Sequence, residues 1–106
     1  MPLHLIAYEL TTPSQDAGPL TATIKSIGPW ARALESQWLL ISPKSQTELV
    51  DILSPHIAST DRLIVATVEP SHWMARNLPE HVVRWLNSCA RLLAGGRQRS
   101  AARMSC

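Results

Sequence analysis

The chain has 106 residues, an apolar share of 45% and a formal charge of +2, which suits one compact domain and excludes a multidomain or compositionally disordered protein. The charge is unevenly placed. Residues 1–70 hold four basic against seven acidic side chains, a net −3, and residues 71–106 hold six arginines against Glu80, a net +5. No apolar run approaches the roughly 20 residues that span a bilayer, and no stretch has the layout of a signal peptide, so a cytoplasmic protein with no membrane partner is expected. Cys89 and Cys106 lack metal or redox spacing and are expected as reduced thiols.

Residues 3–10 are a short, two-sided apolar run between Pro2 and a Thr-Thr-Pro break, which predicts a central strand. The run ends in Glu9. A carboxylate at the end of a buried strand costs several kcal/mol unless a partner or a metal offsets it, so Glu9 is the first candidate functional residue. Asp16 is a candidate N-cap, Pro19 falls in the first turn, and Leu20, Ile24 and Ile27 recur at i, i+4, i+7 before Gly28, predicting a helix of about three turns.

Residues 30–42 alternate, with Trp30, Arg32, Leu34, Ser36, Trp38 and Leu40 on one face, as one strand or as two folded back near Leu34-Glu35-Ser36. Ser45-Gln46-Thr47-Glu48 has capping-box spacing, and Leu49, Ile52, Leu53 and Ile57 continue it as a helix over 45–57. The β-branched run from Leu63 to Val68, ended by Glu69-Pro70, predicts another strand. After a loop with Trp73 and Met74, Pro79 opens a third helix whose stripe is Val82, Trp85, Leu86, Cys89 and Leu93. Gly95-Gly96 ends it. Residues 1–94 form the single domain, and 95–106 are a disordered basic tail with too little apolar content to order itself.

This order predicts an α/β (α+β) sandwich with two helices on one face of a small antiparallel sheet. The other face is also apolar and needs a cover, either the carboxy-terminal helix or a second subunit, and a homodimer is the preferred solution. The carboxylate of Glu9 either holds a metal at a dimer axis, or reaches solvent or an arginine such as Arg32 or Arg62. His4, His56, His72 and His81 have no metal-site spacing and read as surface or boundary residues. Trp30, Trp38, Trp73 and Trp85 read first as packing residues, since the chain has no phenylalanine, and second as stacking platforms for unpaired bases. Arg97, Arg99 and Arg103 are candidate phosphate contacts on RNA or DNA.

The segments Leu5-Ile6-Ala7-Tyr8-Glu9-Leu10, Ile24-Lys25-Ser26-Ile27-Gly28, Leu34-Glu35-Ser36-Gln37-Trp38-Leu39 and Asp61-Arg62-Leu63-Ile64-Val65 resemble the small bacterial proteins called SinR-like. Those are similar in turn to the ferredoxin-like superfamily of CRISPR-associated adaptor and endoribonuclease proteins and VapD toxins. The resemblance covers about residues 3–93. It implies a ferredoxin-like βαββαβ domain, here with an extra carboxy-terminal helix, that forms homodimers, and in some members a metal-dependent cut of RNA or DNA. In that superfamily the first strand typically ends Tyr-Asp, and the aspartates of two subunits hold a divalent cation. Here the acid is Glu9. It is still a hard oxygen ligand suited to Mg²⁺, but its oxygens are displaced by the extra methylene, and displacements near 1 Å can cost about a hundredfold in rate.

Three readings follow. The first is a nucleic-acid-associated homodimer without efficient catalysis. The second is a Mg²⁺-dependent endonuclease (endoribonuclease) with Glu9 of both subunits as catalytic and metal-binding residue. The third is a protein-interaction module.

Overall fold

A computed structural model describes residues 1–11 and 17–91. The elements in order are β1 (Leu3–Glu9), α1 (Gly18–Ile27), β2 (Trp30–Leu34), β3 (Gln37–Ile41), α2 (Gln46–Leu53) with a 3-10 turn at Ser54–His56, β4 (Arg62–Val68) and α3 (Glu80–Trp85), which continues as a π-helical turn over Leu86–Ala90. The protein is α+β, with one four-stranded antiparallel sheet ordered β2-β3-β1-β4. β1 is central, pairing Ile6 with Trp38 on one side and with Val65 on the other. That position explains why its residues are apolar on both faces.

One sheet face carries α1 and α2. Leu20 and Ile24 of α1 and Leu49 and Leu53 of α2 are buried against Ile6, Tyr8, Trp38 and Leu40, with Ile27, Leu63 and Val65 at the margin. Full burial of each such side chain contributes roughly 1.5–3 kcal/mol. The opposite face carries α3, whose Val82 and Leu86, with Ala90, pack on Leu3, Ala31, Leu39 and Ile41. The third helix therefore covers part of the face for which a second subunit was the preferred cover. The far end of that face stays open, and Ile64 there is 61% exposed.

Local chemistry sets the element ends. Helix α1 starts at Gly18 with Ala17 as N-cap and no side-chain cap, and Pro19 sits in its first turn; the expected cap, Asp16, lies outside the described residues. The helix α2 is shorter than the predicted span, because Pro55 lacks an N–H and opens the 3-10 turn. Its start is as predicted: Ser45 Oγ accepts from Glu48 N at 3.1 Å, and Glu48 Oε1 accepts from Ser45 N at 2.9 Å. The Ser45 backbone N–H, the largest influence, holds the Glu48 carboxyl below its usual range. A lowered folded value means that this contribution is present above the unfolded pKa and fades as pH falls through the folded one. Ser45→Ala is expected to cost about 1 kcal/mol at neutral pH in urea unfolding; an unchanged midpoint would mean that the box does not hold the helix.

The buried polar residues include His4, which is 1% exposed and so is neither a surface nor a boundary residue. The Ser42 carbonyl can only accept, so His4 Nε2–H donates to it at 3.2 Å, and Nδ1 is hydrogen-bonded with the Thr67 hydroxyl at 3.3 Å. Gln46 Nε2 in turn donates to Thr67 Oγ1 at 2.8 Å. This chain of bonds joins β1, the end of β3, β4 and the start of α2. Cys89 is buried, and Cys106 lies outside the described residues. No helix among the described residues is long and apolar enough to cross a membrane.

Candidate functional site

Glu9 ends β1 directly opposite Arg62, the first residue of β4. Register alone brings their side chains together, and Arg62 Nη1 donates to Glu9 Oε1 at 2.5 Å with both side chains largely exposed. The expected burial cost is absent, because the strand end reaches solvent. An exposed pair of this kind is worth about 0–1 kcal/mol. No group of three or more His, Cys, Asp or Glu residues among the described residues is placed to hold a metal ion. Beside the pair, Ala7, Tyr8, Leu63 and Ile64 line an open, mainly apolar depression. Behind it, Asp61 accepts from Thr11 N at 2.8 Å and from Ala58 N at 2.7 Å, fastening the end of β1 to the loop before β4.

A second cluster lies at the β2 edge. In the β2–β3 hairpin Arg32 opposes Trp38 and Trp30 opposes Leu40, so both tryptophans and Arg32 share the face that carries α1. Trp30 and Trp38 lie 5.3 Å apart between ring centroids, tilted by 49°. Lys25, in the last turn of α1, holds Nζ 5.0 Å from the Trp30 centroid and 5.8 Å from that of Trp38. The Arg32 guanidinium carbon is 5.2 Å from the Trp38 centroid, and its Nε and Nη2 both donate to the Glu35 carbonyl. Neither cation pairs with a carboxylate among the described residues, where the ion pairs are Glu9–Arg62 and Glu80–Arg84. Trp38 is 1% exposed and forms the floor; Trp30 is 38% exposed and forms the rim.

The other predicted residues separate from these clusters. Trp73 and Trp85 pack on the α3 side of the sheet, His56 Nε2 meets Thr23 Oγ1 at 3.2 Å, and His72 and His81 are exposed. Arg97, Arg99, Arg103 and Leu93 lie outside the described residues. The sequence reading missed Lys25 and Arg32 as partners of the tryptophans. Its signal was present in the alternation of residues 30–42, which already put Trp30, Arg32 and Trp38 on one face. What alternation cannot supply is the end of α1 arriving over that face. The chain matches no protein-family model, no curated protein and no solved structure.

Proposed function

We propose that the protein is a ferredoxin-like, nucleic-acid-associated homodimer, similar to the CRISPR-associated adaptor group, that binds RNA or DNA without efficient catalysis. The ferredoxin-like assignment is supported by the βαββαβ order and the antiparallel arrangement β2-β3-β1-β4. The observation that carries the binding reading is the cluster of Lys25, Arg32, Trp30 and Trp38, two cations without carboxylate partners among the described residues beside a part-exposed indole. Such groups bind nucleic acid through phosphate contacts and stacking. The homodimer reading is supported by the open end of the second sheet face, where Ile64 is exposed beside the Glu9–Arg62 pair. The pairing of Glu9 with Arg62 favours a structural use of that carboxylate over a metal-binding one.

Fluorescence anisotropy of labelled single-stranded RNA and DNA, titrated with salt, tests the reading. Binding is expected to weaken steeply with salt, and the Lys25→Gln, Arg32→Gln double variant is expected to reduce the log–log slope by roughly 1.4, about 0.7 per phosphate contact. Absence of binding at low salt would leave the interaction module as the better reading. Sedimentation of the same sample is expected to give twice the 11.7 kDa chain mass. Incubation with Mg²⁺ is expected to leave the RNA and DNA intact in wild type and Glu9→Ala alike; cleavage lost in the variant would restore the nuclease.

A further inference from the structure

We propose that the β2-edge cluster is specific for unpaired nucleotides, with a base stacked on the Trp30 indole while Lys25 and Arg32 take the adjoining phosphates. This deepens the nucleic-acid reading and rests on it. Three features of the cluster point to stacking rather than to simple charge attraction.

First, the two tryptophans are unequally exposed. Trp38 is fixed from below by Nε1–H donation to the Tyr8 hydroxyl at 3.4 Å and by burial in the core. It holds Trp30 at the rim 5.3 Å away, so an incoming base meets an aromatic surface already held in place, which lowers the ordering cost of binding. Second, the cation nearest the Trp30 ring is the exposed Lys25, which lies over both rings. An ammonium on a flexible stem can leave the ring for a phosphate, so the arriving base replaces the cation on the indole and the cation follows the charge. Third, Arg32 is two residues along the same strand from Trp30, roughly 7 Å, and its guanidinium is held by two bonds to the Glu35 carbonyl. That places a fixed positive charge within one nucleotide's reach of the stacked base.

Bases inside a duplex are stacked on one another and have no free face to offer the indole, so the site selects single strands. Stacking on an aromatic side chain contributes about tenfold to a hundredfold in affinity per base. Because every base has such a face, little sequence preference is expected.

The test uses the full chain and three oligomers of equal length: oligo-dT, an abasic strand of the same phosphate count, and a duplex. Wild type is expected to bind oligo-dT about tenfold or more tighter than the abasic strand, and to quench tryptophan fluorescence only with oligo-dT. Trp30→Ala is expected to bring oligo-dT down to the abasic affinity while leaving abasic binding unchanged, and Trp30→Phe to keep most of the difference. The unchanged abasic affinity also reports that the variant is folded. If wild type binds oligo-dT and the abasic strand equally, or if Trp30→Ala keeps the difference, the stacking proposal falls and the nucleic-acid reading stands. If wild type binds none of the three, the nucleic-acid reading itself falls.

Discussion

Trp38→Ala is expected to remove about 3–5 kcal/mol of stability, the range for deleting a large aromatic side chain from a packed core. Small domains have about 5–15 kcal/mol in all, so the variant is expected to be largely unfolded at modest urea concentrations. The magnitude follows from the position. Trp38 is 1% exposed on β3, paired with Ile6 of the central strand and Arg32 of the edge strand. Its ring packs in the cluster that joins α1 and α2 to the sheet. Its indole N–H donates to the hydroxyl of Tyr8, itself 8% exposed, and removal leaves that hydroxyl without the donor. Leu40, Ile24 and Leu53 of the same cluster are already fully buried. Urea unfolding followed by circular dichroism measures the loss, and a change below about 1 kcal/mol would remove Trp38 from the core.

Gly28→Ala is expected to cost about 1–3 kcal/mol, although glycine-to-alanine changes at compatible backbone sites usually gain about 0.4–1 kcal/mol. The sign turns on contact alone. Gly28 has φ −179°, an extended conformation open to any residue, so no dihedral strain is involved. A Cβ at this position would lie 2.3 Å from the carbonyl oxygen of Ile41. That oxygen belongs to backbone that cannot swing aside, because the Ile41 N–H donates to the Pro29 carbonyl at 2.9 Å and ties the end of β3 to the chain leaving α1. The alanine variant must therefore pull the α1–β2 joint off the sheet. Thermal unfolding that shows the variant equal to or more stable than wild type would contradict this close approach.

Much of the fold was legible because its signals are local. The Ser45–Glu48 spacing, the i, i+4, i+7 stripe of Leu20, Ile24 and Ile27, and the reversal at Leu34-Glu35-Ser36 each depend on a few neighbouring residues. The misreadings came from burial and long-range placement. For Glu9 the sequence leaves a metal, solvent and an arginine such as Arg32 or Arg62 all open, and only the strand register at the open end of the sheet selects Arg62, 53 residues away. His4 was read as peripheral because imidazoles often are, and its partners Ser42 and Thr67 come from β3 and β4 segments that composition cannot bring together. The Lys25–Trp30 contact depends on where α1 ends relative to the sheet, which periodicity does not determine.

The position of β1 has a consequence for how the chain is made. The central strand is the first of the four to be synthesised, yet its hydrogen-bonding partners are β3 and β4. At about 5–20 residues per second, β1 waits a few seconds for Gln37–Ile41 and longer for Arg62–Val68. During that interval it is an unpaired, sticky segment, and closing it onto strands so far along the chain is intrinsically slow. Nascent chains stopped before β4 are therefore expected to be the form most in need of a chaperone.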